Sequence, residues 1–156
     1  MIIINIPGWG IANVGNIILD LNGTIATDGI ISPIVKDKIK ALSEKAKIYF
    51  LTVDTQGTAS RETAGINADL IIIPGENSNK GKCEFLNTIN PEMTVAIGNG
   101  YNDHLILKEA ALGIAVLGEE GMSVSAMRNA DIVVKNISDA FDLFLRPKRL
   151  VATLRK

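Results

Sequence analysis

The chain is poor in the residues that most catalytic and scaffolding chemistries need. It has one cysteine, Cys83, so it holds no internal disulfide framework and no Cys-cluster zinc site. It has one histidine, His104, which leaves no multi-His metal cage and argues against a Ser-His-Asp apparatus. No charged side chain precedes Asp20, yet Asn5, Pro7, Gly8, Gly10, Asn13, Gly15 and Asn16 break up the first nineteen residues. That segment is neither the unbroken apolar run of a membrane span nor a secretory leader with a basic start. It reads as two short strands around Pro7-Gly8-Trp9-Gly10, and a cytoplasmic protein is expected, in keeping with a lone free thiol. Excess charge is also missing: 16 basic against 17 acidic residues give a net charge of −1. That argues against a nucleic-acid binder or a membrane-surface protein held by bulk electrostatics. The chemistry left available runs on carboxylates, lysine, threonine and asparagine.

The rest of the composition is globular: 47% apolar and 21% charged over 156 residues, enough for one domain with a substantial core. Short β-rich runs alternate with helical patterns. Strands are expected at Ile2–Ile6, 16–21, 47–53, 70–73, 94–97, 113–117 and 131–134. Helices are expected at 58–64, 80–89, 102–111, 121–129 and 138–155, the last interrupted by Pro147. A further helix starts at Ser32-Pro33, with Ser as N-cap and Pro at the first position, and carries Val35, Ile39, Leu42 and Ala46 on one face. The unalternated run Leu70-Ile71-Ile72-Ile73 suits a parallel strand covered on both faces. The alternation predicts an α/β fold: a three-layer, Rossmann-like, mostly parallel sheet with helices on both faces, an N-terminal β-hairpin and no cap domain.

Ligands of such sheets bind beyond the carboxyl ends of the strands. The residues there are Asp20-Leu21-Asn22-Gly23-Thr24, the stretch Thr52 to Ala59, Lys80 and Lys82 after Pro74-Gly75, and Gly98-Asn99-Gly100-Tyr101-Asn102-Asp103. Taken singly, each has a plain structural reading as a turn, a strand cap or a solvated lysine. Together they bring a carboxylate, a hydroxyl, a lysine and a second carboxylate to one edge, a cradle for a phosphoryl group. Asp20 can attack phosphorus as a nucleophile. Hard oxygens from Asp20 and Asp103 suit Mg²⁺, and Thr52 and a lysine can hold the non-bridging oxygens.

These four segments resemble the four motifs of the haloacid dehalogenase-like (HAD) superfamily, and most closely the phosphorylation domain of P-type ATPases. Asp20 to Thr24 parallels Asp-Lys-Thr-Gly-Thr, Thr52 to Ala59 parallels Thr-Gly-Asp-x-x-Gly-Thr-Ala, and Asn99 to Asp103 parallels Gly-Asp-Gly-x-Asn-Asp. Gly113-Ile114-Ala115-Val116 and Ala130-Asp131-Ile132-Val133 echo later stretches. The similarity runs from about Asn16 to about Val134. The resemblance implies a Mg²⁺-dependent phosphohydrolase acting through an aspartyl phosphate on Asp20. Thr52 and a lysine would hold the phosphoryl oxygens, together with Gly23 and Asn102. The cation would lie among Asp20, the Asn22 carbonyl, Asn99 and Asp103. Lys82 is preferred over Lys80 because Phe85, Leu86 and Ile89 follow it in the apolar rhythm usual after the family's lysine.

Two departures stand out. Asn22 takes the place where HAD phosphatases carry an acid–base Asp, and Asn99 the place of the metal-binding Asp. Slow turnover or a lingering intermediate is expected. Only 27 residues separate Thr24 from Thr52, too few for a nucleotide-binding or cap domain. Residues 25–32 are long enough only for a small flap around Asp28-Gly29. The substrate expected is a phosphorylated small molecule or macromolecule, since an open site takes large substrates or gains a lid by homo-oligomerising. Two other readings remain: a catalytically weakened phosphate-sensing module, and a phosphorylation-domain partner of a membrane protein. Gly118-Glu119-Glu120-Gly121 reads as a solvated loop, although it follows a strand and could border the site.

Overall fold

The computed structural model describes residues 1–54 and 57–156. Strands β1 (Ile2–Ile6) and β2 (Gly10–Val14) form an antiparallel hairpin with Ile2 opposite Val14 and Ile6 opposite Gly10. Alternation sets its faces. Ile2, Ile4, Ile6, Ala12 and Val14 turn inward, and Ile3 and Ile11 turn to solvent. Then follow β3 (Asn16–Asp20), α1 (Pro33–Ser43), β4 (Lys47–Thr52), α2 (Ala59–Glu62), β5 (Asp69–Ile72) and α3 (Ser78–Thr88). The second half is β6 (Thr94–Gly98), α4 (His104–Glu109), β7 (Leu112–Val116), α5 (Val124–Asn129), β8 (Ile132–Val134), α6 (Ile137–Leu145) and α7 (Lys148–Leu154). Single 3₁₀ turns occupy Pro91–Met93 and Tyr101–Asp103.

Strands β3 to β8 make one parallel sheet in the order β5-β4-β3-β6-β7-β8. The hairpin, α1, α6 and α7 cover one face, and α3, α4 and α5 the other. Strand β3 is buried from both sides: Ile17 and Leu19 enter the first core and Ile18 the second. Helix α1 begins where Ser32 Oγ accepts the Val35 N–H (3.4 Å) and Pro33 needs no donor. It buries Val35, Ile39 and Leu42. Asn136 caps α6 in the same way, accepting from the Asp139 N–H at 3.0 Å. Lys38 of α1 and Arg149 of α7 then meet on Asp142 of α6, at 2.8 and 3.0 Å, and tie the three helices together.

The apolar run at Leu70–Ile73 departs from expectation. Most of it forms the edge strand β5: Leu70 and Ile71 are only partly buried, against the first and second cores, Ile73 just past the strand is buried, and Ile72 remains 51% exposed. Strand β4 takes its one paired side, and α2, at four residues, is too short to cover its outer face. The helix expected over 102–111 begins as a 3₁₀ turn and becomes α-helical at His104. Trp9 packs, partly buried, against the first core. The chain end is packed: Leu150 is buried and the Lys156 N–H donates to the Pro7 carbonyl (3.0 Å).

Candidate active site

Strand β3 pairs with β4 on one side and β6 on the other, so successive strands fan out from it in opposite directions. This is the switch point at which open α/β sheets form a crevice beyond the strand ends. Asp20 is the last residue of β3, and its partner in register is Leu51. Thr52 therefore ends β4 one step further out, and Gly98 ends β6 on the other flank. Thr52 is buried, with its hydroxyl accepting from the Asp54 N–H at 3.2 Å. The Asp54 carboxylate accepts from the N–H groups of Thr58 and Ala59 (3.0 and 3.1 Å) and starts α2. Thr55 and Gln56, within the expected second motif, lie outside the described residues.

The centre of the site is a buried cation between two carboxylates. Lys82, on the inner face of α3, has no exposed surface, and its Nζ donates to Asp20 Oδ1 and to Asp103 Oδ1, both at 2.6 Å. Lys80 is exposed on the same helix. Both oxygens of Asp103 are engaged. Oδ1 takes the Lys82 proton, and Oδ2 accepts from the N–H groups of Asn99 and Gly100 (3.1 and 2.9 Å). Asp103 thereby fixes the loop after β6 and the lysine at once. Burial pushes the Asp20 carboxyl up from 3.8 to about 7, and the neighbouring Asp103 charge adds to the rise against the opposing pull of Lys82 and Thr24. Burial alone would disfavour the Lys82 ammonium, but Asp20 and Asp103 outweigh it and hold its pKa above the ordinary value.

Thr24 is a contributor that the sequence reading did not single out. Its hydroxyl lies 3.3 Å from Asp20 Oδ2 and 3.1 Å from Asn99 Oδ1, so one atom reaches both oxygens. The signal in the sequence is its place as the threonine that closes the segment Asp20 to Thr24. Gly23 is buried at φ +76°. A Cβ there would fall 2.6 Å from Asn99 Nδ2 and 3.1 Å from Glu120 Oε2, so only glycine fits. The Gly23 N–H donates to the Ala26 carbonyl (2.9 Å), so it is not free for a phosphoryl oxygen in this conformation. Asn22 stands exposed at the rim, and Asn102 lies half-buried in the 3₁₀ turn. Tyr101 is 64% exposed, with its ring against His104 at 4.7 Å between centroids. Residues 25–32 form the small flap: Thr27 and Ile30 exchange N–H···O bonds (3.1 and 3.0 Å) around Asp28-Gly29, both at positive φ.

Comparison with known proteins gives this arrangement a context. No family model matches the chain. An uncharacterized protein of Methanocaldococcus jannaschii is 52% identical over 73 residues, 46% of this chain and 78% of that protein. The soluble P-type ATPase-like phosphatase of the same organism is 28% identical over 123 residues, 77% of this chain and 45% of that protein. Among solved structures, the 3-deoxy-D-manno-octulosonate 8-phosphate phosphatase of Moraxella catarrhalis, in complex with magnesium, phosphate and the sugar acid, superposes with a TM-score of 0.72. It is 15% identical and the match covers 92% of this chain and 95% of that one. The chain has the fold of the HAD phosphatases.

Within this HAD fold the crevice is open. The stretch between β3 and α1 builds only the flap, and no helix among the described residues is long and apolar enough to cross a membrane. A cavity of about 400 Å³ runs beneath the flap, between the first turns of α1 and α6, with Thr24 on its inner wall.

Proposed function

We propose that this chain is a divalent-cation-dependent phosphohydrolase in which Asp20 is the nucleophile. The observation that carries the reading is the buried Asp20–Lys82–Asp103 relay at the carboxyl end of β3. An ion pair shut away from water is costly to build and adds little stability over an apolar substitute, so stability alone does not account for this one. A chain that keeps a carboxylate at about 7 beside a lysine holds a nucleophile and an oxyanion partner together. The structural neighbour with magnesium and phosphate bound supports the same direction.

The donors present fit Mg²⁺. One hydroxyl reaches both Asp20 Oδ2 and Asn99 Oδ1, so the two hard oxygens face a shared point, and a cation there would offset the burial that, ahead of the Asp103 charge, raises Asp20. Asp20, Asn99 and the Asn22 carbonyl would hold the ion. Asp103, whose oxygens accept from Lys82 and from the Asn99 and Gly100 N–H groups, would support the ion's shell through water. When bound, the cation offsets the charge of a phosphoryl group approaching a carboxylate. A carboxylate oxygen of Asp20 attacks phosphorus as the bond to the leaving oxygen breaks. That oxygen takes its proton from solvent, because the Asn22 amide has none to give. Lys82 and Thr52 hold the non-bridging oxygens. Water then attacks the phosphoryl group on Asp20, releases inorganic phosphate and restores the carboxylate. The substrates are phosphorylated metabolites or phosphorylated side chains that reach an uncovered crevice.

The test is Mg²⁺-dependent release of phosphate from acetyl phosphate and p-nitrophenyl phosphate. Asp20→Asn should abolish it. Asn22→Asp should raise it at least about tenfold, the lower range of what a positioned acid–base contributes. Equal activity in Asp20→Asn and the unaltered protein would reject the reading. Tight trifluoroberyllate binding without turnover would transfer it to a phosphate-sensing module.

A further inference from the structure

The loop that follows β7 turns back over the nucleophile loop through Glu120. Glu120 Oε1 accepts the Asp28 N–H at 2.9 Å and so holds the flap. Its other oxygen, Oε2, lies 3.1 Å from the point where a Gly23 Cβ would sit, and Asn99 Nδ2 lies 2.6 Å from that same point. The carboxylate and the amide are therefore within roughly 6 Å of each other, the range over which a charge acts strongly on its neighbours. Asn99 Nδ2 also donates to the Gly121 carbonyl at 3.0 Å, which holds this loop against the site. The charge of the site makes the contact consequential. Asp20, Asn99 and a backbone carbonyl offer a divalent cation one formal negative charge, and the Lys82 ammonium stands 2.6 Å from Asp20. That donor set is short of negative charge.

We propose that Glu120 is a positioning residue for the cation: its second carboxylate oxygen holds a metal-bound water and supplies the charge that Asn99 lacks. The inference rests on the cation site described above and names a residue that acts on the ion through water. Mg²⁺ keeps several waters when protein donors are few, and partners of this kind alter metal affinity about ten- to a hundredfold. Glycine at position 23 is part of the device, because any side chain there would separate Glu120 from Asn99.

Mn²⁺ binding, followed by the electron paramagnetic resonance of the free ion with Mg²⁺ as competitor, reads the effect without turnover. Glu120→Gln keeps an acceptor for the Asp28 N–H and removes only the charge. It should weaken binding about tenfold or more and leave the melting temperature in EDTA unchanged. Adding Asn99→Asp to that variant should recover most of the loss. Unaltered binding in Glu120→Gln would overturn the inference and leave the phosphohydrolase reading standing. A loss in Glu120→Ala alone would also overturn it, since only the flap latch would then be at work. Absence of binding by the unaltered protein would instead sink the cation site itself.

Discussion

Replacing Asp20 by Asn should make the cation-free protein more stable. Burial and the Asp103 charge push the Asp20 carboxyl from 3.8 to about 7. At about 1.4 kcal/mol per unit this bounds the cost of its ionised form at roughly 4 kcal/mol. The amide of Asp20→Asn keeps an oxygen for the Lys82 ammonium, which still has Asp103, so the variant loses part of an ion pair along with the penalty. A net gain of about 1–3 kcal/mol is expected at pH 8. The sign follows from proton counting. Between about pH 4 and pH 7 the folded state holds the Asp20 proton and the unfolded state has released it, so stability falls as pH rises. Asp20→Asn lacks this descent. The gap between variant and unaltered protein should be near zero at about pH 4, open through the window and level off above about pH 7. Urea denaturation in EDTA, followed by far-ultraviolet circular dichroism at a series of pH values, measures it. A variant less stable at pH 8, or a gap that ignores pH, would refute the account of a site held against the preference of the fold.

Lys82→Met should act in the opposite sense. It leaves Asp20 and Asp103 facing each other unpaired, at a cost of about 3–5 kcal/mol at pH 8 in EDTA. Acidification should recover part of that loss as Asp20 takes up its proton. Asp142→Asn should cost about 1 kcal/mol at neutral pH, because Lys38 above all, with Arg146 and Arg149, depresses the Asp142 pKa. A depressed carboxylate stabilises only above its ordinary pKa, so the difference should vanish as pH falls through the folded value, checked by thermal melts from neutral pH to about pH 3. Cys83 is 9% exposed, and burial, aided by Glu109, pushes its thiol up to about 12. Ellman's reagent at pH 8 should find no reactive thiol in the native protein and one per chain in urea.

The sequence discloses local chemistry well and lateral position poorly. Ser32-Pro33 announces the start of α1 because both the cap and the missing donor act within one turn. The apolar rhythm after Lys82 points to the right lysine for a similar reason. Phe85, Leu86 and Ile89 lie with Cys83 against the second core, which carries Lys82 inward with them. Lys80 has no such neighbours behind it. The run Leu70–Ile73 announces a parallel strand but not its place at the edge, because apolarity is the same at an edge as at the centre; the order of strands comes from crossovers that no four residues encode. Thr24 escapes for another reason, and Glu120 is named only within a loop that could border the site. The placement of Thr24 and the proposed role of Glu120 both depend on proximity to Asn99, 75 positions away for Thr24 and 21 for Glu120, and a glutamate in a glycine-flanked loop reads as a solvated charge until the loop folds back.

On the proposed chemistry, the two asparagines bear on one quantity in different ways. Asp20, Asp103 and Lys82 give a net charge of −1 when all are ionised, and Asn22 and Asn99 add nothing. A dianionic phosphoryl group then meets less repulsion than it would with carboxylates at both positions, which favours attack by Asp20 even with a weakly held cation. The same economy of charge removes the proton donor from the leaving group at Asn22, and that proton has to come from solvent. Capture of phosphate is thereby favoured over its release, and a phosphoryl group that dwells on Asp20 is the outcome such a balance predicts. Restoring one carboxylate should shift the balance in a way that depends on which one: Asn22→Asp shortens the dwell by supplying protons, and Asn99→Asp tightens the cation.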